Sequence, residues 1–427
     1  MPTEIILEAQ NPSVYHIYLE NILLFNILHC VSIFGIHQIV AYLVKRKVGI
    51  SAKDSMSITP LGWAAGNGHK EVVKLLLGRD DLDPNKPGEY GQTPLMLAAR
   101  KGHEEVVELL LGREDINPNR TNVDGLTPLC YAAENGHEGV VKILLARDDV
   151  DPNKPDEGGQ TPISLAAYGG YEGIVKMLLE RNDIDPDKSN IWGHTPLLIA
   201  VHRGHKGVAR MLLKRYDVNP NKADEEGDTP LAESALKEDE ELVQMLLERE
   251  DTNPNIIDCG GETPLWWAAF IGNEAIVKIL LGRDDVNPNE PEHRGQTPLG
   301  CAAGKGNEKV VEILLERDQT NPDKPNTDGR TPLWWAARSG REGVVQLLLG
   351  RGDVHPDTPD NHGQTRLHCA AWNGHENVVR ILLRRDEVSP DTPDKNGQTP
   401  LSGAATNGHT GVVALLQPQT VSTHSTD

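Results

Sequence analysis

Histidine has the widest chemical range of any side chain near neutral pH, and six of the sixteen here share one register. His69, His103, His137, His205, His375 and His409 each follow a glycine, and their separations are multiples of 34 residues. A metal or acid–base site needs several ligands in one place, with a position left for substrate. One histidine per fixed interval is spread along the chain instead, and reads as a structural group that bonds loop backbone. His368-Cys369 is an adjacent pair without further ligands, and the five cysteines show no CxxC spacing. Gly158-Gly159 and Gly260-Gly261 read as turn tips, and no phosphate-cradling loop, catalytic carboxylate pair or nucleophile elbow occurs. Arginine forms its own column from Arg79 to Arg385 at steps of 34, each with an acid within two residues. That pattern reads as a ladder of Arg–carboxylate contacts between adjacent units. The chain is therefore expected to be no enzyme and to hold no cofactor or metal.

The elements behind these columns follow from the same period. Thr-Pro recurs every 34 residues from Thr59 to Thr399, with Arg366 replacing Pro after Thr365. In the unit at Thr93, the threonine suits a helix N-cap and Pro94 the first helical position, where its missing N–H is not needed. Leu95, Leu97, Ala98 and Ala99 give a short helix that ends at Gly102-His103. Val106, Val107, Leu109, Leu110 and Leu111 give a second helix, which stops in Asp/Asn/Gly-rich turn chemistry before the next Thr-Pro. Neither helix can bury its apolar face alone, so units must stack.

Composition agrees. Aromatics are 4% of 427 residues, too few for one large core but sufficient for many small Leu/Val/Ala interfaces. The net charge of −21 opposes nucleic acid and anionic membranes as partners and permits a basic protein. An odd number of unclustered cysteines and no secretory leader suit a reducing compartment, cytoplasmic or nuclear. Residues 26–58 fit a copy that has lost its Thr-Pro; a membrane span over 22–44 competes, but polar residues such as Asn26, His29 and His37 interrupt it.

Thr127 to His137, Thr-Pro-Leu-x-x-Ala-Ala-x-x-Gly-His, followed by Val-Val-x-x-Leu-Leu at 140–145, resembles the ankyrin repeat. The aromatic residue at Trp63, Tyr131, Trp267 and Trp335 also resembles long fungal-type ankyrin arrays. The resemblance implies an all-α solenoid of helix-turn-helix units joined by β-hairpin-like loops. It would run over 26–416 in about a dozen units, between a cap or remnant of a preceding unit at 1–25 and a disordered tail at 417–427. The ends lack evident polar caps, so the chain is expected to be part of a longer protein.

The implied function is a monomeric protein-binding scaffold, with the recognition portion of a larger effector as the alternative. In such arrays the hairpin tips and the positions before Gly-His line a groove. Here these include Tyr90, Tyr168, Ile191, Trp192, Phe270, Ile271 and Trp372. Unit 229–262 departs most, with Glu233 at an apolar position and Glu238-Asp239 in place of Gly-His; its ten acids and two bases give −8. Glu238, Asp239, Glu240 and Glu241 then form an acidic contact or a softened joint. A groove over 161–296 would favour a partner with a basic-aromatic surface.

Overall fold

A computed structural model describes residues 27–46 and 49–417, and the described residues form helices without strands. Each repeat holds two, as in Pro94–Lys101 and Glu104–Leu111. Thr93 is extended and its hydroxyl accepts the Met96 N–H at 3.3 Å, while Pro94 occupies the first turn. The helix ends where Gly102 enters the left-handed region at φ 75°, which costs a residue without Cβ nothing. The same cap recurs from Thr59 to Thr399.

The chain divides into two compact units, 1–219 and 220–427. Within each, successive first helices pack on one another and successive second helices form a second layer. The core is the repeated set that the periodicity predicts, such as Leu129, Ala132, Ala133, Val140, Val141 and Leu144, all buried. Each such Leu or Val contributes about 1.5–3 kcal/mol by leaving water, and alanine lets the helices approach closely.

Polar groups stitch the seams. His137 Nε2 lies 3.0 Å from the Arg100 carbonyl of the preceding repeat, and its ring covers Gly102 so closely that a Cβ there would stand 2.6 Å from Nδ1. A side chain laid over this glycine, histidine in most repeats and Tyr171 or Asn307 in others, leaves no room for a Cβ there. The arginine column corrects the sequence reading. Arg113 pairs with Asp115 two residues on, within its own repeat, at 2.7 Å. What it gives the preceding repeat is a hydrogen bond to the Leu77 carbonyl at 2.9 Å. A second stitch comes from asparagine: Asn119 donates to the Asp149 carbonyl at 2.5 Å and accepts the Asp151 N–H at 2.8 Å.

The connecting loops are hairpin-like but carry single bonds from tip to tip, such as Ile191 N–H to the Gly158 carbonyl at 3.1 Å. Segment 27–45 forms two short helices, Ile27–Ile33 and His37–Lys45, broken at Gly35, as the repeat register predicts. Among the described residues no helix is long and apolar enough to cross a membrane. The cap expected at 1–25 lies outside the described residues, as does all of the expected tail but Gln417.

Candidate partner-binding surface

The residue before each Thr, and those three and seven after it, recur at intervals of four and so share one face of the first helix. The middle position is mostly buried, as at Ala232, Trp266, Trp334 and His368, while the residues before and after it are more open, as at Leu236 and Trp372. In the second unit this face begins with Asp228, Ala232 and Leu236, then Glu262, Trp266 and Phe270. It continues through Gln296, Gly300 and Gly304 to Arg330, Trp334 and Arg338, then Gln364, His368 and Trp372. Its character changes from acidic to aromatic to cationic.

The tip and helix-end residues singled out by sequence separate into two groups. Tyr90, Tyr168, Ile191, Trp192 and Trp372 are exposed, whereas Phe270 and Ile271 are half-buried. The Ile191-Trp192 tip is held from below: Asn190 Oδ1 accepts the N–H groups of Trp192 and His194 at 3.0 and 2.9 Å. Tyr168 carries the Arg203 guanidinium 3.7 Å above its ring. Phe270 stacks on Trp266 at 5.3 Å and 17°, meets Trp267 edge-on, and has the Lys305 ammonium 3.9 Å above it. It is thus part of a packed aromatic cluster and less free than its position before Gly-Asn suggests. Of the expected groove over 161–296, Tyr168, Ile191 and Trp192 lie in the first compact unit and Phe270 and Ile271 in the second.

The acidic repeat is ordered. Glu238, Glu240 and Glu241 are exposed, and Asp239 caps the second helix by accepting the Leu242 N–H at 3.1 Å. Glu238 sits at φ 58° in glycine's place. The following repeat carries Asn273 in the histidine column, and Asn273 caps its own helix through the Ile276 N–H at 3.0 Å. Glu233 is buried, with Lys237 Nζ 3.3 Å from its carboxylate.

Beside this repeat two carboxyls are displaced upward. Burial, with Asp224 and Asp258 nearby, pushes Asp228 up to about 6. Burial and the adjacent Asp258 carboxylate push Glu262 up to about 7. Asp258 itself accepts the Trp267 indole N–H at 2.8 Å and the backbone N–H groups of Gly260 and Glu262. The result is a partly dried carboxylate strip against an aromatic cluster, an arrangement suited to desolvating a cation.

Among the described residues no group of three or more His, Cys, Asp or Glu could hold a metal ion. His368 accepts the Thr365 N–H at Nδ1, at 3.2 Å, and donates from Nε2 to the Gln398 carbonyl at 3.0 Å. That bonding fixes the neutral Nε2–H tautomer and leaves no nitrogen for a ligand. Burial pushes the Cys369 and Cys301 thiols up to about 12 and that of Cys130 to about 11, far from the range of a reactive thiolate.

Asp228, Glu262, Arg330 and Arg338, with the buried Trp266 and Trp334 between them, were not foreseen as one face. The signal was available: their columns vary while the intervening Leu and Ala do not, and their spacing of four puts them on one helix face.

The family model described as ankyrin repeats (three copies) matches residues 11–87, 27–122, 79–156, 114–190, 148–224, 173–258, 216–292, 234–324, 265–360, 318–394 and 353–427. No curated protein matches the chain.

Proposed function

The chain belongs to the ankyrin-repeat family, and on that premise we propose that it is a non-catalytic scaffold whose partner is a protein with a basic-aromatic surface. Ankyrin repeats are generally protein–protein interaction modules. The observation that carries the reading is the Ile191-Trp192 pair, 56% and 52% exposed on a tip whose backbone is already bonded in place. Large apolar side chains on a pre-ordered loop lose little entropy on binding, and tryptophan is among the residues that most often anchor interfaces. The basic character is supported by the second unit, where Asp228, Asp258 and Glu262 lie beside Trp266 and Phe270, and Glu238, Glu240 and Glu241 are exposed. A lysine or arginine entering there meets carboxyl groups beside an aromatic wall.

The test is affinity capture from a native lysate with the full chain, read by quantitative mass spectrometry. It is run beside a Tyr168→Ala/Trp192→Ala variant and, separately, a Glu238→Lys/Glu241→Lys variant. Phe270 is left intact because its removal would open the aromatic cluster. A protein enriched by the wild type and lost from both variants supports the reading. Enrichment that survives both places binding on another surface and contradicts it.

A further inference from the structure

We propose that the cleft between helices Pro332–Arg338 and Arg366–Trp372 is a binding site for a peptide carboxylate, an acidic side chain or chain end whose apolar neighbour lies on Trp372. The site differs in residues and in sign from the acidic surface described above, and stands whether or not that surface binds.

A cavity of about 230 Å³ opens here, of a size for one or two side chains. Its floor is Trp334, buried and flanked by two guanidinium groups: Arg330 at 4.5 Å and Arg338 at 5.4 Å from the ring. The two arginines are not equivalent. Arg330 is held, with Asp328 at 2.9 Å and the buried Asp360 at 3.5 Å. Arg338 is exposed, and among the described residues no carboxylate lies within ion-pair distance of it. Arg338 thus differs from the column arginines, nearly all of which hold an aspartate two residues on.

The remaining polar groups in the cleft are already committed. His368 spends both ring nitrogens on backbone. Asp394 Oδ1 accepts the N–H groups of Asn396 and Gln398, each at 2.9 Å, and Gln364 bonds the same carboxylate. That leaves one free planar fork. It matches a carboxylate in two parallel hydrogen bonds, whereas recognition of a phosphorylated residue ordinarily uses an arginine cluster.

Trp372 supplies the second contact. It lies against Gly403, where a Cβ would stand 3.1 Å from its ring, and 43% of its surface remains open. Its position is therefore fixed before any ligand arrives, and its exposed face sits at the edge of the cavity that Arg338 borders.

The experiment pans a random peptide library displayed on phage against the full chain and against Arg338→Glu, with circular dichroism confirming the fold of each. Phage peptides carry no phosphate, so the result reads carboxylates alone. The proposal expects Asp and Glu to be enriched on the wild type and replaced by Lys and Arg on Arg338→Glu. A synthetic peptide from the wild-type pool should bind roughly tenfold or more weakly to both Arg338→Gln and Trp372→Ala. Arg338→Gln also serves if the charge reversal fails to fold. Acidic peptides retained equally by the Arg338 variants would place their site elsewhere and overturn the proposal. Basic peptides, or no enrichment at all, on the wild type would overturn it too.

Discussion

Arg366 stands where every other unit of the Thr-Pro series has proline, and reverting it should destabilise the chain. The side chain is 1% exposed, donates to the Thr331 hydroxyl at 2.7 Å and lies 3.5 Å from the Asp323 carboxylate. Burial lowers its pKa, while Asp323 and Asp357 oppose that fall. Arg366→Pro would gain about 0.4–1 kcal/mol from the pre-set helical φ. It would also take the guanidinium from the buried Oδ1 of Asp323, and removing one partner of a buried pair costs about 3–5 kcal/mol. The net expectation is a loss of roughly 2–4 kcal/mol. Asp323 occupies the asparagine column, where Asn289 makes two bonds to the next repeat. Restoring both residues, in Asp323→Asn/Arg366→Pro, should therefore recover about 1–3 kcal/mol relative to Arg366→Pro alone. Urea unfolding of the wild type, both single variants and the double variant, followed by circular dichroism, measures this. An Arg366→Pro chain as stable as the wild type, or additive effects across the cycle, would refute the argument.

Further outcomes are expected. Glu238→Gly should raise stability by about 1 kcal/mol by removing a Cβ from the left-handed region, read as a higher urea midpoint; an unchanged midpoint contradicts the strain. Trp267 donates its indole N–H to Asp258, whereas the equivalent Trp335 faces Asn326 and its buried N–H has no partner. Asn326→Asp should supply the acceptor and stabilise by about 1 kcal/mol, a gain that must disappear in Trp335→Phe. Asp228 and Glu262, raised to about 6 and about 7, keep their protons to a higher pH in the folded chain than unfolded carboxyls, which ionise near about 4. Their contribution is full below about pH 4 and is lost as pH rises through their folded values. Glu262→Gln should therefore flatten the fall in the urea midpoint between about pH 4 and 7, and an identical slope in variant and wild type contradicts the displaced carboxyl.

Caps and core were legible because each is a local rule repeated at a fixed interval. Thr93 before Pro94, and Gly102 before His103, are sufficient to place two helices and the turn between them. The seam bonds were harder to read. Arg113 and Asp115 are two residues apart, and only the fold shows that they pair with each other while Arg113 reaches the preceding repeat through a carbonyl. Asn119 read as turn chemistry because its two partners, Asp149 and Asp151, lie in the next repeat. Exposure was legible at tips such as Trp192, where stacking makes no demand. It was misjudged at Phe270, whose neighbours Trp266 and Lys305 come from another register and another repeat. Reading Arg330 and Arg338 together required knowing that both flank the buried Trp334 ring.

The most direct test of the scaffold account is amide hydrogen exchange on the chain alone and with its captured partner bound. The account predicts added protection at the tips and first helices, around residues 189–194 and 258–271, with second helices such as Glu172–Leu179 and Glu274–Leu281 unchanged. Protection confined to the second helices would contradict it.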